Sequence, residues 1–473
     1  MVLVPIRRKS FAGVLAVIAS FLAGVEVWAS EKVGELYQTH CLSCHGADMS
    51  GEMASSMLDD EWRYGSDWDT LVSVIEDGRV NDGMPAYGEV LSDEQISSLV
   101  IYIRERNARA TPPEAPPEIG EDVYESQKET FALEAVADGL EIPWSLTFLS
   151  NREGLVSERG GALLRIDLES GETENITGIP EVFANGQGGL LDIAAHPDYE
   201  ENGWIYLSFS DPSPDGRRAQ TKIVRGRIND GNEWVDEEVI FQADDEFYTR
   251  RGVHFGCRLV FADGYLFFTI GDRGRQNDAQ DLDKPNGKTH RVHEDGRIPS
   301  DNPFVDREDA FPTIWTYGNR NAQGLALDPV TGLLWETEHG PRGGDELNLI
   351  QKGLNYGWPT VTQGMNYNGT PISGRTTAPG MEDPVTYWTP SLAVCGLDVY
   401  RGEAFPGWDG ALLSSSLRGK ELRLITLNGE TVADQEVLVN HLGRIRDVVV
   451  APDDLVYLVL NRPGRIVRMV PVP

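Results

Sequence analysis

Positive charge is scarce in this chain. Forty-one basic residues face 75 acidic ones across 473 residues, leaving a formal charge of −34. A surface of that sign repels nucleic acid and anionic lipid, so neither is an expected partner. It reads as a heavily solvated surface or as a docking face for a basic electron-transfer protein. Cysteine is scarce too. Four thiols, Cys41, Cys44, Cys257 and Cys395, are too few for a disulfide-stapled scaffold. Long apolar runs are missing beyond the first thirty residues, which excludes an ordinary membrane-spanning helix there. Long helical periodicities are missing from the last two thirds of the chain. What remains is ordinary globular composition, 40% hydrophobic and 25% charged, in a chain long enough for several domains.

The first thirty residues have the layout of an export signal. Arg7, Arg8 and Lys9 precede an apolar run from Phe11 to Val25, and Val27 and Ala29 give the small-residue pattern of a cleavage site. The expectation is a signal peptide over 1–29 and a periplasmic or secreted mature chain. With no cysteine at the cleavage point, no lipid anchor is expected. In that oxidising setting Cys257 and Cys395 are compatible with either a disulfide or two buried thiols.

Cys41-Leu42-Ser43-Cys44-His45 has the C-x-x-C-H spacing. Two thiols one helical turn apart can add across the two vinyl groups of a porphyrin. The adjacent His45 then supplies a nitrogen to the iron. A thiol–disulfide motif has no need of the histidine, and a zinc site needs a second pair of ligands. A sixth iron ligand should be a thioether or imidazole. Met84 is the choice, because Gly83 and Pro85 stop helix formation and let it project from a loop. Met49, Met53 and Met57 follow His45 too closely. Ser92-Asp93-Glu94-Gln95 then caps a helix carrying Ile96, Leu99, Val100 and Ile103 at helical spacing. The domain, residues 30–108, resembles a small class I cytochrome c from Glu35 to about Arg106, which implies one covalent haem c and one-electron transfer to a downstream soluble or membrane carrier.

Residues 109–130 form a linker. Pro112, Pro113, Pro116 and Pro117 cannot lie inside a helix or a central strand, and acidic polar sequence follows. From 131 to 473 one pattern recurs six times: a short apolar strand, a Pro/Asp/Gly turn, and a second apolar strand. Copies begin near Leu146, Leu191, Leu259, Leu325, Leu397 and Val448, about 45 to 72 residues apart. The fold expected is an all-β six-bladed β-propeller with a small all-α cytochrome c domain at its N-terminus. A large β-sandwich is the fallback.

Several segments near the ends of the inner strands are too polar for blade cores. They include Asn185–Gly189, Val253–Arg258, Gly271–Arg275, Tyr317–Asn321, Glu338–Glu346 and Gly443–Asp447. A propeller brings such segments to one end of its channel, where arginines, amides and a histidine suit a planar polyanion beside a general base. Their order, with Gly353-Leu354-Asn355-Tyr356-Gly357-Trp358-Pro359, resembles the soluble pyrroloquinoline quinone (PQQ) glucose and aldose sugar dehydrogenases. The likeness covers about residues 134–470. It implies oxidation of a sugar C1 hydroxyl to a lactone by hydride transfer to PQQ.

The resemblance assigns roles by position. His254 would be the general base, flanked by Gln187 and Asp272, with Asp272 orienting it. Arg320 and Asn321 would hold the quinone oxygens, and Arg444 and Arg446 its carboxylates. Trp388 and Ser391, within Trp388-Thr389-Pro390-Ser391, would wall the ring. The carbonyls of Gly340 and Pro341 would bind the Ca²⁺ at PQQ, while Glu346 and Tyr356 would match a second Ca²⁺ site. Departures occur at Arg418, where the family has a cofactor lysine, and at Asn319 and Ala322, where it has histidine and proline. Cys257 and Cys395 replace small residues. These departures bear on substrate range more than on cofactor.

Taken singly, each of these residues has a plainer reading. A lone histidine in a β-protein is ordinarily a satisfied core residue, and lone arginines ordinarily form salt bridges. Arg444 and Arg446 alternate along a strand, however, and so share one face. A decayed, non-catalytic ligand-binding propeller, or a calcium-only hydrolase, would not need His254, Gln187, Asp272 and the paired arginines together. The two modules also complement each other: hydroxyl oxidation releases two electrons and a haem accepts one, so a quinone between them reconciles the counts.

Overall fold

A computed structural model describes residues 32–59, 62–110, 119–120 and 122–472. Residues 1–29, read above as a signal peptide, and the proline run lie outside the described residues.

The N-terminal module is helical: α1 (Val33–His40), α2 (Leu42–His45), α3 (Trp68–Asp77) and α4 (Asp93–Ala110). Helices of 8 and 10 residues, as α1 and α3 are, fall below the roughly 12–15 needed to persist alone in water. Packing holds them. Leu36, Tyr37, Trp68, Leu71, Leu99 and Val100 form one buried cluster. The N-terminus of α4 is capped reciprocally: the Gln95 N–H donates to Ser92 Oγ at 3.3 Å, and the Ser92 N–H donates to Gln95 Oε1 at 3.0 Å. Asp67 caps α3 by accepting from the Thr70 N–H at 2.9 Å. Among the described residues no helix is long and apolar enough to cross a membrane.

The rest is a six-bladed propeller. Its innermost strands are Pro143–Phe148, Leu190–Ala195, Leu259–Ala262, Ala322–Leu327, Val394–Val399 and Arg444–Val450. Each touches the next, and the last touches the first, so the ring closes. The second strands, such as Tyr265–Ile270 and Val456–Arg462, are buried along nearly their whole length because each blade is covered on both faces by its neighbours. That is why they read in sequence as apolar runs rather than strict alternation.

Closure of the ring uses both ends of the module. The sixth sheet runs Val123–Glu125, Thr130–Asp138, Gly464–Pro471, Val456–Arg462, Arg444–Val450. Phe131 pairs with Pro471 and Leu133 with Met469, zipping the first long strand to the last. Val123–Glu125 corrects the linker reading. Its Tyr124 ring stacks on Phe131 at 5.2 Å, and the strand pairs with residues 130–132 to add a fifth strand to that sheet.

The helical module does not hang free of the wheel. The fourth blade carries a long insertion, residues 350–385, between strands Asp345–Leu349 and Thr386–Trp388, and the module rests on it. Met365 is fully buried in the helical module's own core cluster. The Val33 N–H donates to Gly369 O at 2.9 Å. The Trp68 ring meets Tyr387 edge-on at 6.4 Å.

Candidate functional site

In the helical module the C-x-x-C-H run straddles the junction of α1 and α2, with Cys41 as the residue between them. Both thiols are free and partly exposed. His45 Nδ1 is buried with no hydrogen-bond partner, and burial holds the imidazole pKa below its ordinary value. Met84 follows a short 3-10 turn (Val80–Asp82) and the left-handed Gly83, at φ 89°. Its side chain packs against the same cluster as Cys41 and Leu42. A hydrogen bond from Tyr87 Oη to His40 O, 2.7 Å, ties the Met84 loop to the motif. Two unpaired thiols, an imidazole kept neutral and a thioether around one apolar core fit a covalent haem with His/Met ligation.

In the propeller, loops from different blades converge at one end of the channel. His254 Nδ1 lies 2.6 Å from Asp272 Oδ1. The His254 backbone N–H donates to Gln187 Oε1 at 2.7 Å. His254 holds a left-handed backbone at φ 52°, unusual for a residue with a side chain. Gly186 next to Gln187 is obligatory, since at φ 63° a Cβ there would sit 2.2 Å from Gly252 O. Asp272 is gripped on its other oxygen by Trp358 Nε1–H at 2.9 Å. Burial favours the neutral carboxylic acid at Asp272, but the bond from His254 and the Arg320 charge outweigh it and hold the pKa low. Burial, then Arg320, depresses the His254 pKa, with Asp272 opposing. The outcome is a neutral imidazole whose Nδ1 is oriented by a carboxylate, leaving Nε2 to accept a proton.

Beside this pair the hub concentrates positive charge. Arg446 donates from Nη1 to Gln323 Oε1 at 2.8 Å and to Cys395 Sγ at 3.3 Å, while its Nε is buried without a partner. Arg444 donates from Nη1 to Leu417 O at 3.4 Å. Burial and Arg446 depress its pKa. Among the described residues neither arginine has a carboxylate in ion-pair range. Arg320 donates to His339 O at 2.8 Å and to Gly340 O at 3.2 Å. Asn321 Oδ1 accepts from the Gly256 N–H at 3.2 Å. In a chain of charge −34, unpaired arginines at a buried hub call for an anionic ligand, and the carboxylates of PQQ fit that demand.

Other assigned residues lie differently. Trp388 is a correction: it packs between the fourth and fifth blades with Trp335, Val394 and Leu397, and its Nε1–H donates to Gln435 Oε1 at 2.9 Å. Tryptophans at the hub are Trp358, with Arg320 5.4 Å from its ring centre, and Trp144, with Arg446 at 5.3 Å. Ser391 O accepts from Arg418 Nη1 at 3.2 Å. The Tyr356 hydroxyl is taken by the backbone, donating to Leu349 O at 2.5 Å and accepting from the Gln351 N–H at 2.9 Å. Only its carbonyl is left for a cation. Glu346 lies opposite Glu338 across two strands. Its pKa is held well above the ordinary value by burial and then by Glu338. Asn348 Oδ1 nearby is buried and unpartnered. An excess of buried carboxylate with an orphaned amide oxygen fits a hard cation such as Ca²⁺, although among the described residues no three His, Cys, Asp or Glu side chains are grouped to hold one. Cys257 and Cys395 are separate buried thiols.

Sequence reasoning missed two hub residues. His339 Nε2 is buried and unpartnered, and burial, then Arg446 and Arg320, push its pKa far down. Its place between Glu338 and Gly340 was the available signal. Arg258, fully buried, bridges Asp192 at 3.0 Å and Asp447 at 2.8 Å and donates to Arg446 O at 3.1 Å. It fixes the strand that presents Arg444 and Arg446.

A glucose/sorbosone dehydrogenase family model matches residues 140–468. The chain belongs to that family. A second model, for the cbb3-type cytochrome c oxidase subunit III, matches residues 29–103. The chain is 41% identical over 350 residues to the aldose sugar dehydrogenase YliI of Escherichia coli, covering 72% of this chain and 93% of that one. It is 29% identical to quinoprotein glucose dehydrogenase B of Acinetobacter calcoaceticus, covering 72% and 87%. Among solved structures, the apo-form soluble aldose sugar dehydrogenase of E. coli superposes with TM-score 0.69 at 39% identity, covering 72% of this chain and all of that one. The PQQ-bound aldose sugar dehydrogenase of Streptomyces coelicolor gives 0.60 at 28% identity, covering 75% and 99%. This family member carries an added cytochrome c domain.

Proposed function

We propose that the chain is an exported quinohaemoprotein that oxidises the C1 hydroxyl of an aldose to the lactone and passes the electrons through its own haem c to an external carrier. One observation carries the reading: the oriented neutral imidazole of His254 shares a hub with Arg444 and Arg446, which have no carboxylate partner among the described residues. When bound, PQQ with Ca²⁺ supplies a polarised carbonyl that accepts hydride, and haem supplies one-electron iron.

The chain's own residues do the rest. His254 Nε2 takes the hydroxyl proton, and Asp272 stabilises the imidazolium that results. Gln187 fixes the backbone of His254, and Trp358 fixes Asp272. Arg444 and Arg446 bind the cofactor carboxylates, with Arg320 and Asn321 at its quinone edge. Gly340 and Pro341 offer carbonyls to the ion at the cofactor, and Glu346 with the Tyr356 carbonyl offers a second site. Cys41, Cys44, His45 and Met84 hold the haem.

The test is direct. Purified chain bearing haem is given PQQ and Ca²⁺, then an aldose panel, and the haem absorption bands are followed. Sugar-dependent haem reduction that requires PQQ is the expected result. His254→Ala should lower its rate about 10²- to 10⁴-fold while dithionite still reduces the haem. Reduction without PQQ, or none with it, defeats the proposal.

A further inference from the structure

The seam between the helical module and the propeller contains one charge that is out of place. Glu105, near the end of α4, keeps only 3% of its side chain exposed. A carboxylate so buried must be paired. Its own-helix neighbour Arg109 is largely solvated and stands 4.0 Å away. The effective partners come from the wheel. Arg342 forms a two-pronged pair, with Nη2 on Oε2 and Nε 3.4 Å from Oε1. Arg418 Nη1 lies 3.9 Å from Oε1.

Both arginines belong to segments that wall the proposed cofactor site. Arg342 directly follows Gly340 and Pro341 in a loop fastened by the Gly340 N–H to Asp345 Oδ1, 2.8 Å. Arg418 also grips Ser391 O. Elsewhere the seam is loosely filled. A cleft of about 240 Å³ lies between Trp68, Asp93 and Ile96 on one side and Gly374 and Thr376 on the other. A second of the same size separates Arg104 and Asn107 from Thr389 and Pro390. Beside the contacts of Met365, Val33 and Trp68, the Glu105 carboxylate is the buried charge that ties the modules together.

We infer that Glu105 is a positioning residue that couples docking of the haem module to cofactor binding in the propeller: by holding Arg342 and Arg418 it fixes two walls of the PQQ site from outside the wheel. The inference rests on the function proposed above. Coupling of this kind is reciprocal, so the cofactor must tighten docking by the factor that docking tightens the cofactor.

The experiment uses the full haem-bearing chain. The PQQ dissociation constant, with Ca²⁺ present, is read from quenching of tryptophan fluorescence, and module docking from small-angle scattering with and without PQQ. Glu105→Gln should raise the constant roughly five- to tenfold and expand the scattering envelope, with PQQ partly restoring compactness. Arg342→Gln should do the same, and the double variant should be no worse than either single one, because the two share one interaction. An unchanged haem spectrum shows that the helical module remains folded. Wild-type affinity in Glu105→Gln, or additive effects in the double variant, overturns the coupling while leaving the proposed function standing. Failure of the wild-type chain to bind PQQ overturns the proposed function, and the coupling with it.

Discussion

The cytochrome c domain and the propeller are built on opposite plans. The residues proposed to hold haem, Cys41, Cys44 and His45, fall within one short run of chain, so a single helical turn delivers them. The hub draws Gln187, His254, Asp272, Arg320 and Arg446 from loops and strands spread over most of the propeller, and none is a sequence neighbour of the next. A local motif owes its geometry to helix periodicity. A distributed one owes it to closure of a ring, here achieved by pairing Thr130–Asp138 with Gly464–Pro471. The first plan tolerates transfer between folds; the second makes the site as stable as the wheel.

The sharpest way to break this comparison is to remove one half outright. Replacing Cys41 and Cys44 together by alanine should abolish covalent haem on a denaturing haem-stained gel. Sugar oxidation with an artificial acceptor should persist. Loss of both activities would show that the hub is not self-sufficient.

Next in size is Asp272→Asn, which keeps the shape of the side chain but removes the charge orienting His254. Turnover should fall by about 10²-fold or more. The pH profile carries the sign. As the proposed base His254 works only when neutral, so the rate should fall with acidity through a pKa already below the ordinary 6.5. Because Asp272 raises that pKa, its loss should move the acidic limb to still lower pH. An upward move contradicts the assignment.

Arg444→Met probes whether the hub trades stability for binding. The cofactor-free chain should lose nothing in stability and gain up to about 1 kcal/mol in urea unfolding, since a half-buried, under-partnered guanidinium is removed. PQQ affinity should drop by about tenfold or more. Destabilisation of the cofactor-free chain would mean that the arginine is structural.

The remaining test concerns the wheel alone. His290 is fully buried, with its ring nitrogens 2.9 Å from Thr313 Oγ1 and from Pro285 O. Burial pushes its pKa down to about 3. The unfolded chain therefore binds a proton that the folded chain refuses between roughly pH 6.5 and 3. Stability should fall across that window as pH drops, by about 1.4 kcal/mol per unit from this one group. In His290→Gln, urea midpoints measured against pH should show a shallower slope. An identical slope would assign the acid sensitivity elsewhere.

Much of this was legible in the primary structure. The haem motif, the Ser92–Gln95 cap and the six apolar repeats follow from spacing, because helix and strand periods are local properties. The inner-strand loops were recognisable because polar residues do not belong in blade cores. Tyr124 was less legible: an acidic stretch after prolines reads as linker, and only stacking on Phe131 makes it a strand. Trp388 and Trp358 show the limit most clearly. Trp388 ends a strand and Trp358 lies inside the insertion, and nothing in their neighbours tells that the second is the one that reaches Asp272.

The sequence by itself determined which chemistry is available: thiols and an imidazole at haem spacing, a histidine with carboxylate and amide companions, and arginines on one strand face. Tertiary structure alone decided which of those groups meet, that Arg258 and His339 join them, and that Glu105 of the helical module reaches the propeller's Arg342. The reason is physical. Covalent spacing fixes neighbours within a turn or a strand, whereas contact between residues hundreds of positions apart is set by how sheets close and what their burial leaves unpaired.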